Sequence, residues 1–148
     1  KYKNLDKRES NADDSKIVTI PNLINTTTIS ASATLSSLGV PTVVIGDGSR
    51  VIYQSISANT KTSKSSRIFI GTNGTNITMP DMTNWSSKDL VAFCNLIGIK
   101  YELNGYGYVS STSIVPGTVI DTTGDVTLSA NLTNINPESL SNEVVSNG

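Results

Sequence analysis

Residues 86–107 read Ser86-Ser87-Lys88-Asp89-Leu90-Val91-Ala92-Phe93-Cys94-Asn95-Leu96-Ile97-Gly98-Ile99-Lys100-Tyr101-Glu102-Leu103-Asn104-Gly105-Tyr106-Gly107. Leu90, Cys94 and Ile97 stand at i, i+4 and i+7, the apolar stripe of one helix. Ser86, with Asp89 three residues on, resembles a capping box that satisfies the first free N–H groups of that helix. Gly98 sits where a left-handed C-cap is needed, and an alternating pattern then runs from Ile99 to Leu103 into Gly105-x-Gly107. The same series recurs 59 residues earlier as Ala31, Leu35 and Leu38, then Gly39, Val40 and Gly46-x-Gly48. That shift of 59 also superposes Pro21 on Pro80 and Asn22 on Asp81. A shift of 58, one residue having been lost, brings Val51 onto Val109, Ser55-Ile56 onto Ser113-Ile114, Ile68 onto Val126 and Ile70 onto Leu128. Two coordinated runs of Gly, Pro and apolar matches mark an internal duplication.

Each copy opens with a short extended piece ending in proline, Val18-Thr19-Ile20-Pro21 or Ile77-Thr78-Met79-Pro80, because the residue before proline favours extended geometry. After the helix come strand patterns at residues 42–45 and 99–103, extended segments at 51–56 and 109–114, and last strands at 67–71 and 125–129. Asn59 aligns with Gly117 at the turn before the last strand, and these two residue types tolerate positive φ best. The pattern predicts an α+β fold of two small repeats, each with one α-helix packed on a small antiparallel β-sheet of about three strands. The boundaries that follow are a charged linker over residues 1–16, repeat 1 over 17–76, repeat 2 over 77–131 and a polar tail over 132–148. Units of this size are marginal in core, and the Ser-rich helix of repeat 1 must borrow stability from the sheet.

Composition removes most chemistry. The chain of 148 residues has no His and a single Cys, Cys94, which excludes Ser-His-Asp and Cys-His catalysis, His-assisted metal sites and an intrachain disulfide. Ser, Thr and Asn occupy 54 positions. With 11 basic against 12 acidic side chains, nucleic acid is not an expected partner. No apolar run approaches the ~18 residues of a membrane span, and the first residues lack both Met and an apolar signal core, as expected for the cut end of a longer protein. No cofactor and no metal are expected. The five N-x-Ser/Thr sequons (Asn25, Asn73, Asn76, Asn84, Asn131) are about as many as chance supplies and are not read as glycosylation. Each Gly-x-Gly reads as a strand-end turn rather than a phosphate cradle. Asp121-Thr122-Thr123-Gly124-Asp125 reads as a hairpin turn rather than a calcium loop, and Cys94 as a small core hydrophobe.

The order extended-Pro-Asp, helix ending in Leu-x-x-Gly-Ile, Gly-x-Gly, Val-x-x-Gln/Thr-Ser-Ile, Pro-Gly-Thr and final strand resembles the PASTA repeat over roughly residues 17–130. Met79-Pro80-Asp81-Met82-Thr83-Asn84-Trp85-Ser86, Val91-Ala92-Phe93, Gly98-Ile99-Lys100 and Gly105-Tyr106-Gly107-Tyr108-Val109-Ser110-Ser111-Thr112-Ser113-Ile114 resemble the C-terminal PASTA pair of the class B penicillin-binding proteins that serve division in low-GC Gram-positive bacteria. Repeat 1 departs from the pattern at Asn59 and in its Thr/Ser-rich helix; repeat 2 has Thr112 where repeat 1 keeps Gln54. The resemblance implies an extracellular, non-catalytic module of a septal peptidoglycan D,D-transpeptidase, at the outer face of the plasma membrane and anchored by a segment outside this chain. Its implied partners are peptidoglycan or muropeptides, the transpeptidase domain of the same chain and division proteins. The alternative is a muropeptide-sensing ectodomain of a PASTA Ser/Thr kinase, and a plainer one is a rigid spacer with no ligand. No Ser-x-x-Lys occurs; Ser57-x-Asn59 and Lys61-Thr62-Ser63 imitate two transpeptidase motifs but lie too close together to wall an active site, and they read as a polar loop before the last strand.

Candidate contact residues are few. Tyr106 and Tyr108 alternate with glycines and are expected to share one face, the best surface aromatic pair for a sugar or a protein. Trp85 reads first as a packing residue and second as a ligand platform. Residues 17–76 carry Arg50, Lys61, Lys64 and Arg67 against Asp47, a net of +3, whereas residues 77–130 carry a net of −3. A cluster of Lys61, Lys64 and Arg67 would serve docking between copies, an anionic wall polymer or the transpeptidase body; two solvated faces with accidentally different sums are the plain alternative.

Overall fold

Proline and glycine punctuate each unit, and the elements fall between them. The computed structural model describes residues 16–134, which belong to two units, Lys1–Asn76 and Ile77–Gly148. Apart from Lys16 the expected linker lies outside the described residues, as does the expected tail from residue 135 onward. In unit 1 the order is β1 (Ile17–Thr19), α1 (Thr28–Leu38), β2 (Thr42–Ile45), β3 (Val51–Gln54), β4 (Lys61–Ser63) and β5 (Ile68–Thr72). Unit 2 repeats it as β6 (Ile77–Thr78), α2 (Ser87–Ile97), β7 (Lys100–Asn104), β8 (Tyr108–Thr112), β9 (Val119–Ile120) and β10 (Thr127–Thr133). β10 thus continues past the expected end of repeat 2 at residue 131.

Both helices are built by local chemistry. The Thr27 hydroxyl accepts the Ser30 N–H at 3.1 Å, and the Ser86 hydroxyl accepts the Asp89 N–H at 3.2 Å, so each first turn has a side-chain cap. Gly39 and Gly98 end the helices at φ 78°. Ala31 and Leu35 are buried on α1, and Leu90, Phe93 and Cys94 on α2, while Leu38 and Ile97 are half-buried. In unit 1 the helix stripe closes on Val18, Ile20, Leu23, Val40, Val51, Ile68 and Ile70. Burial of each large aliphatic contributes about 1.5–3 kcal/mol, which a polar helix such as α1 cannot supply from propensity alone.

The three-stranded sheets are mixed rather than wholly antiparallel. β5 is central: it runs parallel to β2 (Thr42↔Ile68 through Ile45↔Gly71) and antiparallel to β3, in the order β2-β5-β3. β10 is likewise parallel to β7 and antiparallel to β8, in the order β7-β10-β8. Alternating side chains report which face a strand buries, not which neighbour it takes. Because β2 and β3 are separated by β5, the Gly-x-Gly segment is no hairpin turn; it crosses over the end of the central strand. A Cβ on Gly105 would stand 2.7 Å from the Leu132 carbonyl oxygen, and one on Gly46 2.6 Å from Thr72 Oγ1, which is why glycine at φ 95° occupies both positions.

The segment read as a polar loop also differs. Lys61-Thr62-Ser63 is β4, paired antiparallel with β1, and β6 pairs with β9 in the same way. Nothing apolar alternates in β4, so its partner and not its own sequence makes it a strand. The turn before β4 uses Asn59 at φ 69°, and its counterpart uses Gly117 at φ 92°. Residues 121–125 form a turn between β9 and β10, which lie in different sheets, so they do not close a hairpin.

Candidate functional site

The aromatic residues of repeat 2 divide between core and surface. Trp85 is only 5 % exposed, and its ring meets Phe93 edge-to-face at a centroid distance of 6.2 Å and 78°. This burial removes the indole from any exposed ligand face and makes it a core side chain; such a pair is worth about 0.5–1.5 kcal/mol beyond its area. Tyr106, in the crossing between β7 and β8, is 70 % exposed, and its hydroxyl accepts from the Asn134 side-chain amide at 3.3 Å. Tyr108 opens β8 half-buried, bridged to Ser86.

Among the basic residues of repeat 1, Lys61 lies on β4, and Lys64 and Arg67 lie on the turn from β4 to β5; the two lysines are exposed and Arg67 is half-buried. A Cβ placed on Gly39 would lie 3.9 Å from Lys64 Cδ, so the lysine stem runs over the C-terminus of α1, where a cation is favoured.

The carboxylates are held by local bonding and the thiol by burial. Asp81 Oδ1 accepts the Thr83 hydroxyl at 2.7 Å and its N–H at 3.0 Å, and Asp121 binds Thr123 with the same two distances. Those bonds, the hydroxyl first, hold both carboxyls below their ordinary range. Asp47 is held down in the same sense by Asn76, whose side-chain amide donates at 3.0 Å and backbone N–H at 3.3 Å. Burial pushes the Cys94 thiol up to about 11, the opposite of an activated nucleophile.

Repeat 1 also contains a cavity of about 630 Å³ between the start of α1 and the β2–β3 crossing, lined by Thr26, Thr28, Ile29, Gly48, Ser49 and Arg50 among others. Of these, Arg50 enters the reading of the sequence as a charge and Gly48 as part of a strand-end turn.

The PASTA domain family matches residues 18–74 and 77–132. A search of the curated proteins finds no match. Among solved structures, penicillin-binding protein 2X from Streptococcus thermophilus is similar at a TM-score of 0.67 and 24% sequence identity, over 79% of this chain. This chain spans 17% of that protein's length. The three-PASTA-domain region of a Ser/Thr kinase from Staphylococcus aureus gives a TM-score of 0.35 at 20% identity, covering 81% of this chain and 67% of that one. The extracellular region of the Ser/Thr kinase PrkC from Staphylococcus aureus gives 0.33 at 21%, covering 80% and 47%. With two matched segments spanning most of its length, each one helix on a small sheet, this chain belongs to the PASTA domain family.

Proposed function

We propose that these repeats are the non-catalytic extracellular end of a division-type class B penicillin-binding protein of a low-GC Gram-positive bacterium, anchored at the plasma membrane by a segment outside this chain. PASTA domains are non-catalytic modules that bind peptidoglycan or muropeptides in general, and they are extracellular in penicillin-binding proteins and kinases. In this role they position or stabilise the septal transpeptidase through contacts with peptidoglycan, the catalytic domain or division proteins. The observation that carries the assignment is the repeat-2 sequence, above all Met79-Pro80-Asp81-Met82-Thr83-Asn84-Trp85-Ser86 and Gly105-Tyr106-Gly107-Tyr108. Tyr106 and Tyr108 in repeat 2, and Lys61, Lys64 and Arg67 in repeat 1, supply the contact surfaces; Trp85 supports its repeat from within.

The test is to label the full-length parent polypeptide with fluorescent penicillin. A covalently labelled band, lost when the acylating serine is replaced, is the expected result. A parent that takes no penicillin and instead phosphorylates itself with ATP would make the module a kinase ectodomain.

A further inference from the structure

The two repeats share one backbone frame but expose different side chains on it. Beside β3 of repeat 1, Ile24, Ile52, Tyr53 and Ala58 line an open groove of about 350 Å³ together with the uncharged Asn22 and Gln54. No charged residue is among its lining residues. Ile52 is 57 % exposed, and Ile24 and Tyr53 are exposed as well. Gly71 lets Tyr53 lie close on the sheet, since a Cβ there would stand 3.2 Å from Tyr53 Cβ. The shifts of 59 and 58 place Thr83, Ser110 and Ser111 of repeat 2 where repeat 1 has Ile24, Ile52 and Tyr53. The groove is therefore apolar in one copy and polar in the other.

The turn between β8 and β9 shows the reverse exchange. Thr118 N–H bonds Val115 O at 3.1 Å, Gly117 N–H bonds Met79 O at 2.8 Å, and Met79 N–H bonds Thr118 O at 2.7 Å, which fixes the turn as a tip. Val115 is 69 % and Val119 58 % exposed on it. The turn of repeat 1 is tied by the same three bonds, from Thr60 to Ser57, from Asn59 to Ile20 and from Ile20 to Thr60, yet it carries Ser57 and Lys61 at those two positions. Charge divides in the same sense. Arg50 precedes Ile52 by two residues and Lys61 follows Ala58 by three, whereas Asp121 follows Val119 by two. Asp81 stands two residues past Met79, whose backbone is bonded to the tip. An uncharged apolar groove flanked by cations and an apolar tip flanked by carboxylates complement each other.

We propose that the repeat-2 tip of one molecule seats in the repeat-1 groove of a second copy of this chain, with Val115 and Val119 against Ile24, Ile52 and Tyr53 and with Asp81 and Asp121 toward Arg50 and Lys61. Groove and tip are different surfaces, so the contact is heterologous, and each bound copy still offers one groove or one tip to the next. A surface this small gives a weak contact, with a Kd of about 0.1–1 mM. It acts where copies are held near one another. The association stands on these two surfaces alone and is independent of which enzyme the repeats are joined to.

The test is amide-resolved NMR of the whole 148-residue chain over a concentration series, with translational diffusion measured on the same samples. From about 0.05 to 2 mM, a range that brackets the Kd, residues 22–24, 52–58 and 115–120 are expected to shift together while diffusion slows. Ile52→Ser and Val115→Ser each install the residue that the other repeat already carries at an exposed position, so the fold is kept. Each is expected to weaken association at least about fivefold. The decisive sample mixes two double variants, a labelled chain with Ile52→Ser and Tyr53→Ser and an unlabelled chain with Val115→Ser and Val119→Lys. The first keeps its tip and the second its groove, so shifts are expected at residues 115–120 of the labelled chain and not at residues 22–24. Raising salt from about 0.05 to 0.5 M is expected to weaken association by roughly two- to fivefold. No concentration dependence in the native chain, association that salt leaves unchanged, association that survives in both double variants alone, or a silent mixture would overturn the proposal. Groove amides that respond to muramyl dipeptide but not to protein concentration would overturn it in favour of a glycopeptide site.

Discussion

Replacing Gln54 with alanine cuts a three-way tie between β3 and the segment that leads into α1. The Gln54 side-chain oxygen accepts the Leu23 N–H at 2.8 Å, and its amide donates to Pro21 O at 3.0 Å and Ile56 O at 2.9 Å. Thr112, the counterpart in repeat 2, makes a single equivalent bond, from its hydroxyl to Ile114 O at 2.9 Å. At about 0.5–1.5 kcal/mol net per hydrogen bond, Gln54→Ala costs about 3 kcal/mol and Thr112→Ala about 1 kcal/mol. A unit this small shifts by about 4–8 °C per kcal/mol, so the repeat-1 transition falls by about 12–24 °C. The repeat-2 transition falls by only about 4–8 °C in Thr112→Ala. Thermal unfolding followed by amide NMR reads the two repeats separately in one sample. If the two substitutions lower their own repeats equally, the three bonds of Gln54 do not carry the load assigned to them.

Two further substitutions follow from the geometry. Gly105→Ala meets both a left-handed φ of 95° and the Leu132 carbonyl oxygen at 2.7 Å, whereas Gly117→Ala at φ 92° meets nothing within 4 Å. Urea unfolding is expected to show a cost near 1–2 kcal/mol for Gly117→Ala, the left-handed penalty alone, and a clearly larger one for Gly105→Ala; the reverse order would refute the crossing geometry. Cys94 is neutral in the folded repeat, its thiol pushed from 9.0 to about 11. The unfolded chain therefore loses that proton first. The contribution of Cys94 is intact below pH 9 and is lost as pH rises toward 11, so repeat 2 weakens across that window. The urea midpoint of repeat 2 measured against pH is expected to fall more steeply in the native chain than in Cys94→Ala, and identical slopes would contradict the burial of the thiol.

The features legible in the sequence are those with a purely local cause. Gly39, Gly98, Asn59 and Gly117 were each fixed by a backbone conformation that few residues adopt, and the stripes of α1 and α2 by a single period. Strand direction is not local: residues 42–45 bury one face whether their neighbour runs with them or against them, and only the crossing over β5 decides it. β4 carries no apolar alternation, so Lys61-Thr62-Ser63 looks like a loop until β1 is placed beside it. Asn25 and Asn84 stand 59 residues apart, and their shared left-handed conformation is invisible when they are read as sequons. Trp85 is ambiguous from sequence because a residue just ahead of a helix can turn inward or outward; Phe93 turns it inward. The cavity of repeat 1 is the hardest to see, since residues 25–29 and 47–50 line it together only once the chain has folded.

The central claim is that these repeats are an accessory, targeting end of a penicillin-acylated enzyme. Deleting residues 17–134 from the parent and imaging fluorescent-penicillin label in dividing cells tests it most directly. The account predicts that the truncated enzyme still takes the label but loses its concentration at the septum; a truncated enzyme that labels and stays at the septum would contradict it.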